Sequence, residues 1–176
     1  MARVPPCLYD IIKAMNAKDI LHFGDKDLRG AFKGLSKRAW QKVGVTTKWS
    51  LRDLLAHMIS YEWLLVDAFR YVLKIKPTQT LDAMNAGYEK FNDAEVLARA
   101  GKSPQMLMRE YSRAYKEVIK LAKKLSPEKL RKPGTIPWYG KQYSLDDFIV
   151  YANYAHKREH VAGINQFRKK MKKYGK

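Results

Sequence analysis

Apolar residues recur every three or four positions through three long segments of this chain, and each segment opens on a serine that reads as a helix cap. The first follows Ser50, with Asp53 three residues on, and carries Leu51, Leu54, Leu55, Met58, Leu65, Phe69 and Val72 on one face. It is predicted to reach about Lys74 and to stop before Pro77. The second starts at Ser103 with Pro104 at the first helical position, continues through Leu107, Tyr111, Ala114, Val118, Leu121 and Leu125, and ends at Ser126-Pro127. The third starts at Ser144, with Asp147 in the capping position, and carries Leu145, Phe148, Ile149, Ala152, Ile164, Phe167 and Met171. Strand signals are negligible, so the chain should fold as an all-α protein, an up-and-down bundle of four principal helices.

The fourth position in that bundle falls to the less regular N-terminal region. Leu8, Ile11, Ile12 and Met15 suggest one short helix and Leu28, Ala31, Phe32 and Leu35 another, with Gly24 as a break between them. The connector 76–102 is too long for a bare loop and should carry short helices near 81–91 and 93–100 that cover part of the bundle. Residues 132–140 read as turn chemistry with two exposed-type aromatics, Trp138 and Tyr139. One domain over 1–176 is expected, with a basic C-terminal tail from about 168 to 176. A chain of 176 residues buries about 70 % of its unfolded surface on folding, so a metal found in it would serve function rather than hold the fold together.

Cys7 is the single cysteine, which excludes an intramolecular disulfide, and the N-terminus does not read as a signal peptide. The segment 51–74 is interrupted by Arg52, Asp53, Glu62, Asp67 and Arg70, too charged for a membrane span. A cytoplasmic protein without membrane contact is expected.

Charge is the unusual quantity: 35 Lys plus Arg against 17 Asp plus Glu give +18. Two stretches concentrate it. One is Lys116, Lys120, Lys123, Lys124, Lys129, Arg131 and Lys132, and the other is the tail with Arg168, Lys169, Lys170, Lys172, Lys173 and Lys176. A solvated helix face is the ordinary explanation of such runs, and a weak, non-specific nucleic-acid contact is the alternative. No zinc-finger spacing, RNP aromatic signature or Gly-rich phosphate loop accompanies the charge.

The histidines are more informative. His156 and His160, four apart, place two rings on one helical face, in line with Leu145, Ile149 and Ala152 in the stripe that should face the interior. His57 lies beside Leu54 and Met58 at the edge of the buried stripe of another helix. The three could meet at one point as an open metal site with room for a water or substrate, or could each be a core histidine bonded to a neighbour. His22 lies outside any seam and Cys7 has no local histidine, so both read as bystanders. Trp63, Phe69, Tyr111, Tyr115, Tyr151 and Tyr154 read as core and cavity wall.

The segment Lys48-Trp-Ser-Leu-Arg-Asp-Leu-Leu-Ala-His57, then Tyr143-Ser-Leu-Asp-Asp and His156-Lys-Arg-Glu-His160, together with Gly34-Leu-Ser36 and Trp40, resembles the DinB-like metal-binding four-helix-bundle superfamily over nearly the whole chain. The resemblance implies that His57, His156 and His160 bind a divalent transition metal, nickel or zinc foremost, with water completing the shell. Gly163 stands where that family often has Gln. Relatives include low-molecular-weight thiol S-transferases and hydrolase-like resistance proteins, often dimeric. The resemblance therefore implies a metal-dependent transferase or hydrolase acting on a small electrophile, with a low-molecular-weight thiol as a candidate cofactor. Asp53, Asn153 and Glu159 are the nearest polar candidates for orienting a ligand or serving as a base. A non-enzymatic stress or binding protein whose basic surface meets a polyanion is the other class of function that the sequence leaves open.

Overall fold

The computed structural model describes residues 16–46 and 48–174. The expected helix at Leu8–Met15, Cys7 and Lys176 lie outside the described residues. The elements in chain order are α1 (Ala17–Phe32), α2 (Lys37–Gln41), α3 (Leu51–Val72), α4 (Gln79–Asn85), α5 (Tyr88–Leu97), α6 (Pro104–Ala122), α7 (Pro127–Arg131), α8 (Leu145–Phe148), a π-helical segment (Ile149–Ala155) and α9 (His156–Tyr174). Among the described residues the sole β feature is an isolated bridge between Val43 and Ser50. The fold is all-α.

Both helices that open alike in sequence begin alike in space. The Ser50 hydroxyl accepts from the Asp53 amide while the Asp53 carboxylate accepts from the Ser50 amide, and Ser144 and Asp147 repeat the arrangement. Each closed box satisfies donors that a helix start leaves bare, a contribution of about 1 kcal/mol. Ser103 caps α6 through the Met106 amide, with Pro104 in the first turn.

α3 and α6 pack along one another, α1 packs on α9 and on the π-helical segment, and α1–α6 and α3–α9 contacts close the ring. Along α3, Leu51 to Ile59 join one apolar cluster with Leu107, Tyr111, Ile164 and Phe167, and Tyr61 to Phe69 join a second with Val118, Phe148 and Ile149. His57, Ser60 and Glu62 lie where the two meet and are buried with them. The connector after α3 does carry two helices, α4 and α5, both laid on α3.

Three expectations are corrected. Gly24 does not break a helix: α1 runs through it, and the missing side chain serves close packing, since a Cβ there would lie 3.1 Å from Lys157 Cδ and 3.2 Å from Tyr154 Cδ2. Residues 168–174 are not a free tail but the last turns of α9. Arg168 donates to the Ala31 and Lys33 carbonyls at 2.7 and 2.8 Å, tying α9 to the end of α1. Trp138 and Tyr139 are half-buried against the core, Trp138 edge-on to Tyr71 and Tyr139 edge-on to Phe148.

Candidate metal centre

His57 sits in the second turn of α3, started by the Ser50 box, while His156 and His160 occupy the first turns of α9. The rings converge. His156 Nε2 lies 3.1 Å from His57 Nε2 and 2.8 Å from His160 Nε2, and one ring nitrogen from each histidine lies within 4.8 Å of the other two. An ion at 2.0–2.1 Å from three imidazoles in a tetrahedral shell would set their nitrogens about 3.3 Å apart, close to the two separations that His156 makes, so the cluster could hold an ion. The His57 ring stands nearly perpendicular to the other two, at 85° and 86°.

Burial, with His160 as a second cause, lowers the His57 pKa to about 3. Burial, then His160, His57 and Lys157, lowers His156 to about 2. His160 is also held below its ordinary value by burial, although nearby Glu159 opposes the shift. All three are therefore neutral at pH 7 and keep the lone pairs that metal ligation needs. Neutral imidazoles meeting at these separations either share N–H protons or could hold a metal ion between them. The outward nitrogens His57 Nδ1 and His156 Nδ1 are buried with no hydrogen-bond partner. The carboxylate or carbonyl that commonly orients a ligating histidine is thus absent from both, and packing does the orienting instead.

That packing is aromatic. The Trp49 ring lies 4.7 Å from His57, and the Tyr61 ring lies 4.8 Å from His57 and 4.3 Å from His156. The Tyr61 hydroxyl donates to Asn92 Oδ1 of α5 at 3.4 Å. Burial and hydrogen bonding with Tyr88 push the Tyr61 pKa up, with Asn92 opposing in part, so the phenol stays protonated.

The other sequence candidates sit elsewhere. Asp53 is engaged by the Ser50 amide and hydroxyl and by Arg52. Asn153 is buried and donates to Glu62 Oε1 at 3.0 Å, and Glu159 is exposed. His22 lies outside the cluster on α1, where its Nδ1 meets the Tyr115 hydroxyl at 2.7 Å. Phe69, Tyr111 and Tyr115 are core, and Trp63, Tyr151 and Tyr154 are half-buried.

Sequence reasoning missed Tyr61, Glu62 and Lys157. Lys157 Nζ and Glu62 Oε1 form a 2.6 Å ion pair in which both side chains have 0 % exposure. Its signal was present: Glu62 falls four residues after Met58 and three before Leu65, inside an apolar stripe. The stripe expected on the last helix is also shifted by one position. Asn153 and Lys157 take the deep places expected for Ala152 and His156, which are half-buried like His160, while Ile164 and Phe167 are buried as expected. A π-helical turn, which holds one residue more than an α-turn, causes that shift.

Fold and site together define a class, an all-α protein with a half-buried three-histidine cluster that could hold a metal ion. The chain matches the DinB superfamily over residues 20–164 and belongs to it. No curated protein and no solved structure matches it. No helix among the described residues is long and apolar enough to cross a membrane.

Proposed function

We propose that the protein is a divalent-metal-dependent transferase of the thiol S-transferase kind, or a hydrolase, acting on a small electrophilic substrate in the cytoplasm. The observation that carries this reading is the meeting of three neutral imidazoles where His57 is buried but His156 and His160 keep part of their surface in solvent. A closed structural site would hide its ligands; this one leaves a side from which a small molecule can approach. Three imidazoles suit nickel or zinc. When bound, such an ion supplies Lewis acidity, lowering the pKa of a coordinated thiol or water and so generating a nucleophile at neutral pH.

The chain's own residues supply the rest. Trp49 and Tyr61 wall the cluster with apolar surface that limits what fits beside it. The protonated Tyr61 hydroxyl is a donor fixed toward α5, and Glu159 at the exposed rim beside His160 is the available base.

The test is metal analysis of protein purified without a polyhistidine tag. One ion per chain is expected, with occupancy lowered in His57→Ala, His156→Ala and His160→Ala and kept in His22→Ala. Equal occupancy in all four variants would overturn the site. Loaded protein is then assayed with a chlorinated nitroarene and low-molecular-weight thiols, and with ester and amide substrates. Full occupancy with no metal-dependent turnover in either series would remove the enzyme reading.

A second reading rests on α6. Arg109, Arg113, Lys116 and Lys120 all lie exposed on that helix, with Glu117 3.4 Å from Lys120. Their spacing of three and four residues puts a cation about every 5 to 6 Å along one face, which suits a weak, sequence-indifferent contact with a polyanion such as nucleic acid.

A further inference from the structure

Glu62, Asn153 and Lys157 form a polar knot inside the bundle that neither ligates nor touches solvent. One oxygen, Glu62 Oε1, receives the Asn153 amide at 3.0 Å and stands 2.6 Å from the Lys157 ammonium in an ion pair, although Lys157 Nζ makes no hydrogen bond. Lys157 Nζ lies 5.9 Å from the ring centroids of both Tyr111 and Tyr115, and the Lys157 stem passes over Gly24, where a Cβ would stand 3.1 Å from its Cδ. Glu62 Oε2 and Asn153 Oδ1 have no partner. A buried ion pair so incompletely satisfied gains little stability over apolar residues of the same volume, because desolvation consumes most of the Coulombic attraction. Its gain must lie in which arrangement it selects.

Two registers compete in the last helix. Leu145, Phe148 and Ile149 anchor its start in the core. An uninterrupted α-helix from that anchor would turn every later side chain about 100° per inserted residue away from where it is found. The π-helical segment ends at Ala155, directly before His156, and the two grips on Glu62 stand on either side of that junction. Asn153 belongs to the π-helical turn and Lys157 to α9, and the carboxylate comes from α3, the helix that carries His57.

We propose that Glu62, Asn153 and Lys157 are positioning residues that select the π-helical register of the last helix and thereby turn His156 and His160 toward His57. The inference rests on the three-histidine reading for its purpose, though not for its geometry. With the knot in place, the phase of α9 is set relative to α3 itself rather than by the upstream anchor. The histidines then meet even though the outer nitrogens of His57 and His156 lack partners to steer them.

The test is a paired replacement, Glu62→Leu with Lys157→Met, which removes both charges and keeps their volume. Thermal stability should be held or raised, while cobalt(II) binding weakens about tenfold to a hundredfold, the range usual for loss of outer support of ligands, and the cobalt visible absorption bands shift. Glu62→Gln, which keeps an oxygen for both donors, should retain most of the affinity and the parent bands. A folded double variant with the parent's cobalt affinity and spectrum would overturn the proposal. Should the double variant fail to fold, Asn153→Leu, which cuts one grip, is read against the same two outcomes. Crystal structures of metal-free parent and variant form a separate arm. Loss of the π-helical turn with separation of His156 from His57 supports the proposal, and an unchanged segment and cluster overturn it. A parent chain that binds no cobalt would sink the metal reading, while the crystallographic arm still decides the register.

Discussion

Acid should destabilise the metal-free protein earlier than its carboxylates can account for. His57 and His156 are held neutral by burial, at about 3 and about 2 in the folded chain, whereas in the unfolded chain a histidine titrates near 6.5. Between those values the unfolded state binds protons that the folded state refuses, so stability rises with pH through that window and is fully present above the unfolded value. Lowering the pH from 7 to 5 protonates nearly every unfolded imidazole and neither of these two in the fold. The linkage integral gives about 2 kcal/mol per residue and about 4 kcal/mol for the pair. Because both folded values lie far below pH 5, the result is insensitive to either. Against a typical total of about 5–15 kcal/mol, the loss is large. Urea unfolding of chelator-treated protein at pH 7, 6 and 5, alongside a His57→Leu/His156→Leu variant, measures it. The parent should lose about 4 kcal/mol more than the variant over that range. Parallel pH dependence in the two proteins would refute the reasoning, since buried neutral imidazoles would then not be the titrating groups.

Chelation at pH 7.5 should leave far-ultraviolet circular dichroism unchanged and unfolding cooperative, with a lower Tm from lost mass action, because the two apolar clusters are built without the histidines; a collapse of helical signal would make the ion structural. Binding of double-stranded DNA of random sequence should fall steeply between about 50 and 200 mM salt and be weakened by Arg113→Glu/Lys116→Glu without loss of metal. A strong preference for one sequence that survives physiological salt would put base readout in place of phosphate contact.

Much of this arrangement was legible in the sequence because local and long-range signals agreed. The Ser50 and Ser144 boxes fix where the two histidine-bearing helical segments begin, and the i, i+4 spacing of His156 and His160 survives in space because both follow the π-helical turn. What was not legible follows from packing between helices. Gly24 reads locally as a break, but α1 crosses it because Lys157 and Tyr154 occupy the room it leaves. Helical counting from Leu145 puts Ala152 inward, and a one-residue insertion that periodicity cannot register moves Asn153 there. Arg168 reads as one more cation in a basic run, yet it is spent on the last carbonyls of α1. In each case the deciding partner lies 91 residues or more away in the chain, where no local pattern can name it.

The cluster draws two imidazoles from one helix and its third from a residue 99 positions earlier in the chain. Two imidazoles one turn apart are a weak local chelate that even a detached helix would present; the third converts it into a reporter of contact between α3 and α9. Any opening that parts those helices cuts the ligand count from three to two while every turn of helix persists. Metal exchange should therefore be faster than global unfolding, and the residence time of an ion held there would measure how often this seam opens.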